Sequence, residues 1–327
     1  MKIGKVPVDV LRDIIIGKIK TRRPEVLVGS AVGEDCAVLD FKDQLCVIST
    51  DPITGAVAEI GSLAIHIACN DIASNGAEPV AVMMTVLAPE GTTKEDFARI
   101  MEDASGAAAQ NNVEIMGGHT EITDVVNRVL ISTVALGKHS RENMVTTSGA
   151  RVGDVVLMTK TAGLEGTAIL AHDKESELMQ IIEPAIIERA KGLKNQISVV
   201  PEGMIAGRIG VNSMHDATEG GVLGALWELA EASGKGLRVE LGSIPVLPET
   251  SAICEAFNID PYRLISSGVM VMTLDAEKVT ELGDALNSRQ IPWSVVGTVT
   301  AKDRLIISQG AETALEPPEV DELYRAL

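Results

Sequence analysis

The most regular pattern of hydrophobic and polar positions predicts an amphipathic helix over residues 61–75. Its apolar stripe consists of Ala64, Ile67, Ala68 and Ile72. Gly76 and Pro79 follow this segment and end the helix. Asp71 lies inside the stripe, next to Asn70. A buried carboxylate is costly unless it is paired, hydrogen-bonded or bound to a metal, so Asp71 needs a structural or a chemical explanation.

The rest of the chain shows short apolar runs that alternate with helical patterns, in two successive blocks. In the first block, helices are predicted at 8–19 and 93–111, and strands at "DQLCVISTD", "VAVMMTVLA", "VEIMGGHTE" (ending in a glycine turn) and "NRVLISTVALGK". In the second block, the predicted helices are 176–193, 198–209 and 277–288, and the predicted strands include "VVLMTK", 268–274, 292–299 and 303–308. The turn-rich stretch "TTSGARVGD" separates the blocks. We therefore predict an α/β protein with domains at 1–148 and 149–327.

Composition is consistent with this organisation and excludes some partners. The 327 residues suit two domains of ~150 residues each. The formal net charge of −18 argues against nucleic acid as a partner, because phosphate-backbone binding needs a basic surface. The four cysteines show no CxxC pair, which favours a reducing, cytoplasmic setting over a disulfide framework or zinc ribbon. Neither a signal peptide nor a membrane span is expected.

Acidic residues recur at predicted strand ends. Asp35 precedes "CAVLDF", Asp51 ends "LCVISTD", and Glu121 follows "GGHT". Ligands of α/β folds bind at strand ends, where several carboxylates would repel one another unless a cation lay between them. Mg²⁺ takes oxygen ligands and keeps phosphate oxygens in its shell. A nucleotide with its metal is therefore one explanation for the buried position of Asp71.

Structural explanations stand beside this one. A lone Asp at a strand end also forms turns, and Asp71 could pair with a buried Arg or cap a loop. His119 after two glycines also suits a structural hydrogen bond, and the spacings typical of zinc sites do not occur. "GSAVGED" and "AGLEGT" lack the forms GxxxxGK[ST] and GxGxxG. The residues alone thus indicate a two-domain α/β protein, with metal–phosphate binding as one of several functions.

The order of the motifs adds a family resemblance. "GEDCAVL", "STD", "NDIASNGAEP", "GGHTE" and "HDATEGGV" occur in this order over nearly the whole chain. This order resembles the AIR synthase (PurM)-like superfamily, and most of all its HypE-like, AIR synthase-related group. The helix motif N-D-[IL]-x-x-x-G-A-x-P is the most specific part of the resemblance.

The resemblance implies a PurM-like two-domain fold, in which the N-terminal domain pairs into a dimeric β-barrel and the C-terminal domain is an α/β sandwich. It also implies ATP and Mg²⁺ as cofactors. By motif, the metal ligands are Asp35, Asp51 and Asp71. The residues near the cofactor are Asn70, Gly117, Gly118, Thr120, Thr218, Gly220 and Gly221. The catalytic residues are Asp71, Asp216 and His119.

The implied reaction is phosphoryl transfer from ATP to a carbonyl or amide oxygen of a small or protein-borne substrate. Two departures affect this expectation. His119 stands where the HypE-like group has an Asp, and the last cysteine is Cys254 instead of a C-terminal one. A thiamine-monophosphate kinase-like enzyme and a non-catalytic nucleotide-binding subunit therefore remain as alternatives. No membrane or nucleic-acid partner is expected.

Overall fold

The chain folds into two mixed sheets with helices packed against them, which confirms the predicted α/β class. The computed structural model describes residues 8, 12, 26–28, 31–34, 36–42, 44–54, 59–140 and 144–326. The predicted helix at 8–19 lies outside these residues, apart from Val8 and Arg12, and so does Asp35, which is predicted to be a metal ligand. Within the described parts of the chain, no helix is long and apolar enough to cross a bilayer.

The first half contributes a six-stranded sheet and two helices. Its elements are β1 (Val26–Val28), β2 (Ala37–Asp40), β3 (Leu45–Ile53), α1 (Ile60–Ser74), β4 (Glu78–Ala88), α2 (Lys94–Gln110), β5 (Glu114–Ile122) and β6 (Leu130–His139). The strand order is β1-β2-β3-β6-β4-β5. All neighbouring strands are antiparallel except β4 and β5, which are parallel. Since β5 comes last in the strand order, it is an edge strand of this sheet.

The second half contributes a seven-stranded sheet. Its elements are β7 (Val155–Thr159), α3 (Leu164–Asp173), α4 (Glu175–Leu178), α5 (Pro184–Gly192), α6 (Val200–Ile209), β8 (Ser213–Ala217), α7 (Gly221–Ser233), β9 (Gly236–Glu240), α8 (Pro248–Phe257), β10 (Val269–Leu274), α9 (Val279–Ser288), β11 (Trp293–Thr300), β12 (Arg304–Ser308), β13 (Ala311–Ala314) and α10 (Leu323–Ala326). The strand order is β13-β12-β9-β11-β7-β10-β8. Only β12 and β9 run parallel among these neighbours.

Helix α1 lies at the centre of the molecule. It spans nearly the predicted residues, but every residue except Ser62 is buried, so it has no solvent-facing side. It packs against α2, β3, β4 and β6 of the first half and against α6 and β8 of the second. A helix that is apolar all round is stable only in such a surrounded position. The single apolar stripe predicted for it is therefore too narrow a description.

Strand β5 differs from its prediction. The expected glycine turn does not form, and the strand runs on through Gly117 and Gly118. Its pairing with β4 skips Met116, which makes a β-bulge just before the two glycines. A Cβ on Gly118 would overlap the carbonyl oxygen of Met84, so the glycine permits close strand pairing here. The pair of glycines thus serves an extended backbone and not a turn.

The predicted helix 176–193 is also interrupted. Helix α4 ends at Leu178 and α5 begins at Pro184, because a proline at the first helical position lacks the N–H that a continuous helix would need.

Strands β4 and β6 are buried on one face only in a single chain. Their residues alternate between buried and partly exposed positions, so the second face of the first sheet carries accessible apolar side chains.

The two halves are joined by hydrogen bonds from α1. The side chain of Asn70 donates from Nδ2 to the carbonyl oxygen of Ile197 at 2.8 Å, and its Oδ1 accepts from the N–H of Val199 at 2.8 Å. Asn70 is fully buried. Near this contact, Gly203 of α6 lies directly against the backbone of Ala73. The predicted role of Asn70 near a cofactor stays a prediction, whereas its structural role at the junction is observed.

Gly203→Ala should destabilise the protein by ~3 kcal/mol, because the added methyl would overlap the carbonyl oxygen of Ala73 and neither helix backbone can yield cheaply. The matched control is Gly192→Ala at the end of α5, where a Cβ meets no atom within 4 Å. That change should be neutral or stabilising by up to ~1 kcal/mol. Urea unfolding of both variants measures the difference. Equal stabilities would contradict the close packing of α1 on α6.

Candidate functional site

The polar groups around Asp71 explain how a carboxylate is accommodated in α1. Asp71 is 6% exposed, and the hydroxyl of Ser49 on β3 donates a hydrogen bond to its Oδ2. The carbonyl oxygen of Asp71 accepts from Ser74 Oγ at 2.7 Å and from the thiol of Cys36 at 3.0 Å. The carboxylate is therefore held at the contact between α1 and β3.

Asp51 belongs to the same face of β3 as Ser49, because side chains two residues apart in a strand point to the same side. It is half-buried and lies inside the strand, two residues before Ile53, where the sequence placed it at the end. The structure thus puts Asp51 and Asp71 on two elements in contact with each other. Among the described residues, which do not include Asp35, no three His, Cys, Asp or Glu side chains form a cluster suited to a metal.

In a single chain, the residues of the "GGHTE" motif lie away from Asp71. Gly117, Gly118, His119 and Thr120 are in the edge strand β5 and are exposed. Two strands separate β5 from β3, which corresponds to about 14 Å at the usual strand spacing. The imidazole of His119 lies 3.2 Å from the carboxylate of Glu121 and is open to solvent. One chain alone does not bring this motif next to Asp71.

The turn between β8 and α7 carries the remaining predicted residues. Asp216 is 1% exposed and lies on β8, which packs against α1. The carbonyl oxygen of Thr218 accepts from the N–H groups of Gly221 (3.0 Å) and Ser266 (3.3 Å). The N–H of Gly220 donates to a carboxylate oxygen of Asp321 at 2.6 Å. The N–H groups of Gly220 and Gly221 thus have partners inside the chain, and the predicted place of these glycines near a cofactor stays a prediction.

A buried carboxyl group that the sequence did not indicate lies in the first turn of α3. Glu165 is 3% exposed, and its Oε2 has no hydrogen-bond partner. His172, seven residues later on the same helix, has a buried Nε2 that also lacks a partner. Both residues line a cavity of about 30 Å³ between the halves, which is large enough for a water molecule. Burial raises the pKa of Glu165 to about 7.

Three of the four cysteines are poorly placed for nucleophilic chemistry. Cys36 and Cys69 are buried in the first half, and Cys254 is buried in the second. Burial raises the pKa values of Cys69 and Cys254 to about 12. Because the thiolate is the reactive form, these thiols are inert near neutral pH.

This architecture and this set of motifs define a family. Residues 33–139 match the N-terminal domain of the AIR synthase related proteins, and residues 151–309 match their C-terminal domain. The chain belongs to the AIR synthase related protein family, as its motif order predicted.

Several proteins related to hydrogenase maturation are similar to this chain over most of its length. A protein of Methanocaldococcus jannaschii with the provisional name of a hydrogenase expression/formation protein is 29% identical over 293 residues, covering 85% of this chain and 83% of that protein. The carbamoyl dehydratase HypE of Bradyrhizobium diazoefficiens is 31% identical over 254 residues, covering 76% of this chain and 71% of the relative. A solved structure of the hydrogenase maturation protein HypE in complex with ATP shares the fold at a TM-score of 0.73 and 20% identity, covering 99% and 97% of the two chains.

The buried Glu165 generates a prediction about stability and pH. Its pKa is about 7 in the folded protein and 4.5 as the reference value for an unfolded chain, so the folded state binds the proton more tightly. The protonated carboxyl group of Glu165 therefore stabilises the folded state below pH 4.5, and this stabilisation is lost as pH rises from 4.5 to 7. The full loss is about 3 kcal/mol. Glu165→Gln, which cannot ionise, should lack this loss.

Urea unfolding of wild type and Glu165→Gln across pH 5 to 8 measures the effect. The stability of the variant relative to wild type should increase up to about pH 7 and then level off. A matched control is Glu177→Gln, because Glu177 is an exposed carboxylate of the neighbouring helix α4. Parallel pH profiles for wild type and Glu165→Gln would contradict the burial of an ionisable carboxyl group at this position.

Proposed function

We propose that this protein is an ATP-dependent enzyme that transfers a phosphoryl group to a carbonyl or amide oxygen, which then departs as phosphate. The observation that carries the proposal is the buried Asp71, held beside β3 at the contact between α1 and the first sheet. Relatives named carbamoyl dehydratase and a HypE structure solved with ATP support it. We also propose a domain boundary near residue 148, between the last strand of the first sheet (β6) and the first strand of the second sheet (β7).

The donor set around Asp71 fits Mg²⁺ with a nucleotide. In this proposal Asp71 and Asp51 would supply hard carboxylate oxygens from two elements in contact, and Asp35 would complete the set predicted from the motifs. When bound, Mg²⁺ would neutralise charge on the phosphates of ATP. The hydroxyl of Ser49 holds the carboxylate of Asp71 in one orientation. The chain would therefore contribute mainly positioning and charge, which suits phosphoryl transfer.

The second half supplies the other wall of the proposed site. β8 and its turn pack against α1, and Asp216 is buried at this contact. We assign Asp216 a place beside the acceptor, and Thr218 contributes to the same turn. In this proposal the acceptor is carried by another molecule, since three of the four cysteines, Cys36, Cys69 and Cys254, are buried. All four are free thiols, which supports a reducing, cytoplasmic location.

Asp71→Asn should lower the affinity for Mg²⁺-ATP by at least ~10-fold, because the change removes a metal-binding charge while it keeps the side-chain size. Ser49→Ala is the matched comparison. It removes the hydrogen-bond donor that orients Asp71 but keeps the charge, so it should cost ~1 kcal/mol of stability and lower the affinity less than Asp71→Asn does. Calorimetric titration with ATP, with and without Mg²⁺, measures both. Unchanged affinity in Asp71→Asn would return Asp71 to a purely structural role.

We also propose that two chains form a homodimer through the first sheets. The outward face of that sheet exposes apolar side chains, and within the described parts of the chain β5 pairs with a neighbour on one side only. On this side Met83 of β4 is 43% exposed, and the apolar side chains at the two neighbouring bulges, Val80 and Met116, are similarly exposed. A second sheet packed on this face would cover them. It would also provide a second β5, which offers a route for His119 and Thr120 to approach Asp71 from the partner.

Light scattering at micromolar concentration should give the mass of a dimer for the wild-type protein. Met83→Glu should shift the mass towards a monomer, because a charge on the apolar face opposes its burial. Met179→Glu is the matched control, since Met179 is similarly exposed but lies in the second half. A monomeric wild-type protein, or equal effects of both variants, would rule out this interface.

A further inference from the structure

The chain that leads into the first sheet contacts the second half of the molecule. Gly33, shortly before β2, has a φ of +80° and approaches helix α7 closely. A Cβ at this position would lie 2.7 Å from the carbonyl oxygen of Glu228 and 3.1 Å from the Cβ of Ala232. Glycine is the residue that combines this backbone conformation with so close an approach. The entry to β2 is therefore packed on α7 at Gly33.

Glu34 adds a hydrogen bond to this contact. Its Oε1 accepts from the N–H of Ser148 at 3.2 Å, although the two residues are 114 positions apart in the chain. Hydrogen bonds to a charged carboxylate are stronger than those between neutral groups. Glu34 thus holds the entry to β2 at a second point, directly after the contact of Gly33.

The turn that contains Ser148 is itself fixed to β8, the strand that carries Asp216. Ser148 lies in a short 3₁₀ turn between β6 and β7. In the same turn, the hydroxyl of Thr147 donates to the carbonyl oxygen of Met214 at 3.1 Å. The carbonyl oxygen of Thr147 accepts from the hydroxyl of Ser213 at 2.7 Å. The hydrogen bond of Glu34 therefore connects the entry to β2 with β8.

Two residues after Glu34, the chain contacts the helix that carries Asp71. Cys36 is buried, and its thiol donates a hydrogen bond to the carbonyl oxygen of Asp71 at 3.0 Å. In the sequence, one residue separates Glu34 from Cys36, and this residue is the predicted metal ligand Asp35. The two neighbours of that ligand are thus held by different parts of the molecule: Glu34 by the turn of Ser148, and Cys36 by α1.

The partner of Glu34 distinguishes two roles for its carboxylate. A direct metal ligand contributes its charge, because Mg²⁺ is bound through carboxylate oxygens. A residue that fixes the backbone needs only an acceptor oxygen for the N–H of Ser148, and the side-chain amide of a glutamine also provides one. The hydrogen bond that the structure shows is of the second kind.

We propose that Glu34 is a positioning residue for the site of Mg²⁺-ATP. It ties the chain next to Asp35 to the second half, so the affinity for Mg²⁺-ATP depends on the contact between the two halves. Bound Mg²⁺-ATP stabilises that contact in return, because coupling between two binding equilibria is reciprocal. The proposal rests on the proposed function, since it concerns the same metal–nucleotide site.

The first test is calorimetric titration with ATP, with and without Mg²⁺. Glu34→Ala should lower the affinity for Mg²⁺-ATP at least ~5-fold and leave the affinity for ATP without Mg²⁺ nearly unchanged. Glu34→Gln keeps the acceptor for Ser148 and should stay within ~2-fold of wild type. The matched control is Glu102→Ala, which removes an exposed carboxylate of α2 and should behave like wild type.

Hydrogen exchange followed by NMR reads the contact itself. In Glu34→Ala the N–H of Ser148 should exchange at least ~10-fold faster than in wild type, because it loses its acceptor. Mg²⁺-ATP should slow this exchange in wild type and not in Glu34→Ala. The N–H of Val199, which Asn70 accepts, is the internal reference for an intact fold and should exchange equally in both.

Gly33→Ala is a second variant that alters no charge. Its methyl group would overlap the backbone of α7, so it should displace the entry to β2 and lower the affinity for Mg²⁺-ATP in the same direction as Glu34→Ala. It also serves if Glu34→Ala does not fold.

The outcomes separate this proposal from the proposed function. Equal losses of affinity in Glu34→Gln and Glu34→Ala would make Glu34 a direct metal ligand and overturn the positioning role. Wild-type affinity in Glu34→Ala, with Mg²⁺-ATP bound normally by wild type, would overturn the positioning role alone. A wild-type protein that does not bind Mg²⁺-ATP would contradict the proposed function, and this proposal with it.

Discussion

Helix α1 is buried on every side, and each polar group that it carries must therefore be satisfied by a neighbour. Asn70 and Asp71 are consecutive on this helix but face different halves of the molecule. Asn70 bonds the backbone of residues 197–199, whereas Asp71 accepts the hydroxyl of Ser49 from the first sheet. The two side chains thus tie a single helix to both halves, and a displacement of α1 would break contacts on both sides at once.

The same constraint applies to the ionisable groups at the junction between the halves. Lys160 is buried with its ammonium group 2.6 Å from the carboxylate of Glu202 on α6, and it also donates to the carbonyl oxygens of Ser198 and Gly268. Burial and the charge of Lys160 lower the pKa of His66 on α1 to about 4, so this imidazole is neutral near neutral pH. A charged group on one side of the junction and a neutral one on the other avoid repulsion inside the protein.

The sequence predicts elements well where burial imposes a regular period. Helices α1 and α2 and strands β4 and β6 follow from local patterns, as does the family. The path of β5 does not, because two glycines in sequence suggest a turn, and only the close approach of Met84 shows that they serve strand pairing. The contacts of Asp321 were also invisible, since its partners Gly220 and Ile265 are far away in sequence. Periodicity reports how one element is buried, but it carries no information on which distant group occupies a turn.

The buried and half-buried acidic residues are accommodated by different interactions in the two halves. On the first-half side of α1, the carboxylate of Asp71 accepts the hydroxyl of Ser49, and Asp51 lies on the same face of β3 as this serine. In the second half, Asp321 is stabilised by backbone N–H groups, and Glu165 by retaining its proton up to about pH 7. Because the buried acids of the second half are accommodated by the chain itself, the metal-bound nucleotide of the proposed function belongs on the side of the first sheet.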